Sequence, residues 1–302
     1  MIKFQIKRIN KLLLPALFIV IFTLNACKKD EADIIDPQPE QEATVRPVTP
    51  QSSAYVTQLF SYTPGPGQYT NTSLGNADAA KSVLNNKTGM VSLGFYGGHI
   101  VFGFDHTVLN QTGKEDIIIY NNSFANFAEP AVVWVMQDKN NNGQPDDVWY
   151  ELAGSALGQT GYTTKYAITF TKPAIETGDV PWTDNKGNSG IVKVLSGKKN
   201  YYPESVKTDT YTLTGTLLPS IGVVQNGAFY SSAAFTYGYA DNAPGNDKLD
   251  IANAIDEKGN KVNLKGIDFI KVQTGIPFNM GALGELSTEV KGVADLSFPG
   301  IQ

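Results

Sequence analysis

The sequence predicts an all-β protein, a β-sandwich of jelly-roll type carried behind an N-terminal export segment and a flexible tether. Three observations point there. From about Ala54 onward, short runs rich in β-branched and aromatic residues alternate with clusters of Gly, Asn, Asp and Pro, the pattern of strands joined by tight turns. The same stretch lacks the spacing of apolar residues that a long amphipathic helix needs. Hydrophobic residues make up 41% of the chain and aromatics 11%, enough to fill the core of one large β domain.

The chain begins with a basic segment, Lys3, Lys7, Arg8 and Lys11, followed by the apolar run Leu12–Leu24. That run is short for a membrane span and is broken by Pro15, so it reads as a signal peptide. Leu24-Asn25-Ala26-Cys27 resembles a lipobox, in which Cys27 becomes the lipidated first residue of the mature chain; Asn25 departs from the small or apolar residue usual there. Lys28-Lys29-Asp30-Glu31 is similar to the signal that sends Bacteroidetes lipoproteins to the cell surface. The expected address is the outer membrane, lipid-anchored and facing the exterior. A transmembrane anchor and a lipoprotein facing the periplasm are the alternatives.

Residues 28–53 are rich in Glu, Asp, Gln, Pro and Thr and carry no aromatic, which predicts a disordered tether. Cys27 is the only cysteine. Once it is acylated, a cysteine nucleophile, a thiolate zinc site and a disulfide framework are all excluded. A net charge of −5 and a pI near 5.1 argue against nucleic acid as a partner. Contact with the membrane is expected only through the lipid.

Residues 54–302 are expected to form the sandwich, with a smaller appended piece possible near 175–225. The strands predicted in it are Val91–Leu93, His99–Phe104, Asp116–Asn121, Ala131–Gln137 and Val148–Leu152, then Tyr166–Lys172, Thr210–Thr216, Ala228–Tyr237 and Ile267–Thr274. Asp78–Leu84 and Asp250–Ile255 are the two short helices the pattern allows.

The sharpest motif is the polar loop Asp138–Asp147, between two predicted strands. Oxygen-bearing side chains fall at loop positions one, three, five and nine: Asp138, Asn140, Asn142 and Asp146. Gly143 permits a sharp turn, and the Gln144 carbonyl stands at the seventh position. Calcium wants several oxygens converging from one tightly wound loop, so a structural calcium ion is one reading. Trp149 stands where an EF-hand has its closing Glu. The loop more closely resembles the strand-flanked calcium loops of integrin-type propeller blades, with Asp147 or Glu151 as a further ligand. The other reading is a polar hairpin turn, for which Asn, Gly, Pro and Asp are favoured on conformational grounds alone.

Catalytic constellations are sparse. The two histidines, His99 and His106, are seven residues apart, which places them on opposite faces of an extended chain. Asp105-His106 reads as an acid–base pair or, more simply, as a strand end bonded to a loop. Asp116, Glu129, Glu151, Asp184 and Asp241 are carboxylates of the kind glycoside hydrolysis uses. Sequence does not bring any two to the separation of roughly 5–10 Å that this chemistry requires. Gly94-Phe95-Tyr96-Gly97-Gly98 lacks the Lys-Ser/Thr of a phosphate-binding loop and reads as a tight turn.

Five aromatics stand in turn-rich surroundings and are expected to form an exposed binding platform: Trp182, Tyr201, Tyr202, Tyr237 and Tyr239. Their alternative role is to cover the ends of the sandwich. Trp134 and Trp149 fall within predicted strands and are expected in the core.

Several phrases together resemble a group of Bacteroidetes cell-surface lipoproteins, across nearly the whole mature domain. They are Pro64-Gly65-Pro66-Gly67-Gln68-Tyr69, Val91-Ser92-Leu93-Gly94 with Gly97-Gly98, and Gly103-Phe104-Asp105-His106. Asn122-Ser123-Phe124, Ala128-Glu129-Pro130, the Asp138–Asp147 loop running into Trp149-Tyr150-Glu151-Leu152, and Gly284-Glu285-Leu286-Ser287-Thr288-Glu289-Val290 complete the set. The resemblance implies, for some members, association with outer-membrane uptake systems, including those for vitamin B12. It therefore implies nutrient capture beside a TonB-dependent transporter; with the loop aromatics and the sparse catalytic constellations, the expected function is non-enzymatic capture of a corrinoid or glycan. An adhesive or structural surface protein and a carbohydrate-active hydrolase are the alternative functions.

Overall fold

The structure, a computed structural model, describes residues 43–302. Cys27, the lipobox and the greater part of the expected tether lie outside the described residues. Antiparallel sheets dominate, so the chain is an all-β sandwich.

The largest sheet has six strands. In spatial order they are Gln58–Thr63, His99–Leu109, Gly266–Thr274, Ala131–Met136, Tyr150–Leu152 and Ala254–Ile255. Facing it is a three-stranded sheet of Asp247–Leu249, Ile117–Tyr120 and Gly292–Asp295, with the short pair Val91–Ser92 and Glu289–Val290 beside the same core. Ile100, Phe102, Val133, Val135, Ile270 and Val272 pack across to Ile117, Ile119 and Val293. The apolar runs Ile117–Tyr120 and Ala131–Met136 are buried along their whole length. Alternation sends every second residue inward, and in both strands the outward residues are covered as well. Ile118 and Tyr120 lie under Tyr55, Leu296 and Ile301. Val132 and Trp134 lie among Leu218, Tyr239, Ile276 and Leu286.

A third layer is the four-stranded sheet of Thr210–Leu217, Thr163–Thr171, Val180–Asp184 and Ser189–Val192, in that spatial order. It has its own core of Tyr166, Ile168, Phe170, Val180, Val192 and Leu213. It spans Thr163–Leu217, which overlaps the stretch 175–225 where the sequence allowed a smaller appended piece. Gln273 of the large sheet joins the two layers, donating from Nε2 to the carbonyls of Thr214 (3.0 Å) and Gly97 (2.9 Å). Gly215 makes the approach possible, because a Cβ there would collide with Gln273 Oε1.

All nine predicted strands contain a strand, with shifted ends. Ala228–Tyr237 shortens most, to Phe229–Ser232, and Trp149 lies just before the strand Tyr150–Leu152 rather than in it. The first helix is Ala77–Ser82, capped by the Asn76 side chain, which accepts the amides of Asp78 and Ala79. The second is a single turn, Ile251–Asn253, capped in the same way by Asp250. Trp182 sits in the strand Val180–Asp184, where a loop was expected.

The end of the expected tether does not run free. Arg46 exchanges backbone and side-chain bonds with Thr107. Its guanidinium pairs at 2.9 Å with Asp268, which is fully buried. Among the described residues no helix is long and apolar enough to cross a membrane.

Candidate functional site

The strand register places three unlike side chains in one row on the outer face of the large sheet. Lys271 is opposite Trp134 on the neighbouring strand, and Trp134 is opposite Glu151 on the next. The Lys271 ammonium lies 4.2 Å from the centre of the Trp134 ring and 5.4 Å from that of Trp149. Tyr162 donates to Glu151 Oε1 at 2.6 Å, and the Thr216 hydroxyl donates to Oε2. The row forms the floor of a cavity of about 460 Å³. Its walls are the edge of the four-stranded sheet at Thr214–Thr216 and the turn containing Asp256 and Glu257.

Burial sets the protonation chemistry of this floor. It pulls the Lys271 ammonium down to about 8, with Glu151 opposing the fall. It raises the Glu151 carboxyl above its ordinary value, against the pull of Thr216, Tyr162 and Lys271. The cavity thus offers the partly buried Trp149 indole, a cation seated over Trp134 and one carboxylate braced by hydroxyls. Such a surface can stack on a flat or ringed ligand and hydrogen-bond its polar edge.

The expected aromatic platform does not assemble. Tyr201, Tyr202 and Tyr239 are buried, at 1%, 6% and 0% exposure. Tyr201 and Tyr202 pack in the core of the four-stranded sheet, and Tyr239 packs under Trp134. Trp182 lies against the same four-stranded core, its ring over Gly190. Tyr237 alone is open to solvent, at 55%, on a cleft with Lys248 and Asp250. The two tryptophans assigned to the core, Trp134 and Trp149, are the ones that line the cavity. In Ala131–Met136 nearly every residue is apolar, so alternation could not single out the face on which Trp134 stands.

The loop Asp138–Asp147 folds as the sequence suggests, around its own polar groups. The Asp138 carboxylate accepts the amides of Asn142 (3.1 Å) and Gly143 (2.9 Å), and Gly143 takes a φ of 70°. The amides of Asn140 and Asn142 reach the two oxygens of Asp146 at 3.1 and 2.9 Å. The side chains of Asn140, Asn142 and Asp146 therefore meet, while the Asp138 carboxylate holds the backbone of the same turn. The Gln144 amide donates to Asn142 Oδ1 at 2.7 Å. Asp147 accepts the amide of Lys139 at 2.8 Å and closes the loop base. Glu151 points into the cavity, away from the role of a further loop ligand.

His106 is fully buried within a strand, bonded to Asp105 at 2.8 Å and to Asp295 at 3.0 Å. Burial pulls its proton affinity down, and the two carboxylates outweigh it and raise it. His106 ties its strand to Asp295 of Gly292–Asp295, while Asp105 stands at the surface. Asp184 accepts from Tyr166 and from the turn that follows it. Asp116 caps the turn before Ile251. Glu129 and Asp241, which sequence left apart, lie together in a buried group.

No protein-family model matches the chain, and no curated protein matches it.

Proposed function

We propose that this protein is a non-enzymatic, lipid-anchored lipoprotein displayed outward from the outer membrane, which captures a small ligand beside a transporter. The cavity over Trp134, Trp149, Lys271 and Glu151 carries this reading. Its volume of about 460 Å³ lies in the range of sites that bury a drug-sized ligand. A glycan of a few rings suits it, stacking on Trp149 with its hydroxyls toward Lys271 and Glu151. A corrinoid would seat only one edge there. The TonB-dependent partner and the surface address are carried by the lipobox at Cys27, the signal behind it and the lipoprotein resemblance. Calcium is the ion we propose for Asp138, Asn140, Asn142, Gln144 and Asp146, as a pin for the loop rather than a participant in capture.

Replacing Trp149 tests the reading, because that side chain precedes its strand and is only partly buried. Trp149→Ala is expected to weaken ligand binding by about tenfold, or about 1.4 kcal/mol, with the fold intact by circular dichroism. A ligand that binds both forms equally is not held in this cavity.

One observation favours the adhesive reading. The hairpin Val223–Asn226/Phe229–Ser232 exposes Val224 and Phe229, and Phe124, stacked on Phe127, is exposed as well. Exposed apolar clusters mark contact surfaces. Loss of cell or matrix adhesion in Phe229→Ser, with ligand binding retained, would favour that function.

A further inference from the structure

Glu129, Asp241 and Glu289 come from three distant stretches of the chain, and each brings a carboxylate oxygen within 4.8 Å of the other two. Asp241 and Glu289 are buried, at 1% and 4% exposure, and Glu129 is partly buried. Most of their oxygens have donors. Glu129 Oε1 accepts the Ser287 amide at 2.9 Å, and Asp241 Oδ2 accepts the Glu289 amide at 2.8 Å. Glu289 accepts from the Ser287 hydroxyl at 3.0 Å and from Asn122 at 3.3 Å.

Asp241 Oδ1 is different: it is buried and finds no hydrogen-bond partner among the described residues. Oε2 of Glu285, a fourth carboxylate at 2% exposure and near enough to feel the charge of Glu289, is in the same condition. The charges acting on Asp241 are those of Glu289 and Asp247, both acids. Ionised carboxylates buried side by side are costly, and a cation among them removes that cost.

We propose that Glu129, Asp241 and Glu289 ligate a hard divalent cation, of the calcium or magnesium kind. An all-oxygen donor set without His or Cys selects that class. The ion ties the segment before Ala131, the turn at Asp241 and the strand Glu289–Val290 into one unit. The site is independent of the Trp134 cavity and of the Asp138–Asp147 loop, and it stands whether or not those readings hold.

The test is calorimetric titration of the full chain, stripped with EDTA, against calcium and magnesium chloride separately. Asp241→Asn and Glu289→Gln run beside the loop variant Asp146→Asn. Asn keeps the shape of Asp and accepts the positive φ of 49° at position 241. The expected result is a site, separate from any in the Asp138–Asp147 loop, that Asp146→Asn retains and that each of the other two variants loses or weakens at least about tenfold. Absence of binding by the unaltered chain, or binding unchanged in both carboxamide variants, overturns the proposal. If a variant does not fold, crystals of the unaltered chain soaked in manganese decide. An anomalous peak among Glu129, Asp241 and Glu289 supports the site, and no peak there overturns it, whether or not the Asp138–Asp147 loop holds one.

Discussion

At the scale of single residues, the cavity depends on a lysine held where water is scarce. Lys271 sits between two indoles, and burial lowers its proton affinity to about 8 against about 10.4 in an unfolded chain. Between those values the unfolded chain binds the extra proton, so this group makes stability rise as pH rises. Lys271→Met removes that contribution. Urea unfolding at pH 7.5 and pH 9.5 is expected to show a smaller gain, or a larger loss, for the variant than for the unaltered chain. Identical pH dependence would mean that Lys271 is as hydrated as a surface lysine. None of this was legible from the sequence, because the row of Lys271, Trp134 and Glu151 is created by pairing between strands distant in the chain. The buried Tyr201 and Tyr202 failed in the opposite sense. Their turn-forming neighbours are real, but burial under a neighbouring sheet is a tertiary property.

At the scale of elements, the strands were the legible part, since β-branched and aromatic runs between turn formers specify them locally. Val180–Asp184 escaped because Pro181 and the polar Asp184-Asn185 argue against a strand, yet both neighbours of this strand pair with it. The junction between the large and four-stranded sheets is the element on which the cavity wall depends. Gly215→Ala drives a methyl into Gln273 and is expected to cost about 1–3 kcal/mol, read as a lower urea midpoint. It should also weaken ligand binding, because Thr214 and Thr216 flank it on the wall. The helix Ala77–Ser82 offers a simpler check. Asn76→Ala removes the acceptor for two amides and should cost about 1 kcal/mol, with ligand binding unchanged.

At the scale of the whole molecule, function is a matter of which distant segments the sandwich brings together. The polar loop at Asp138–Asp147 announces itself because its groups are consecutive. The carboxylates of Glu129, Asp241 and Glu289 are silent in sequence, being spread across the chain and meeting only once the sheets are packed. The cavity lies between these extremes: its tryptophans are visible, but their face is not. The measurement that most directly tests the central claim is calorimetric titration of the protein and of Trp149→Ala against a glycan panel and cyanocobalamin. The account predicts saturable binding of one ligand to the unaltered chain and about tenfold weaker binding to the variant. Saturable binding that Trp149→Ala leaves unchanged, or no binding by the folded protein to any member of the panel, would contradict it.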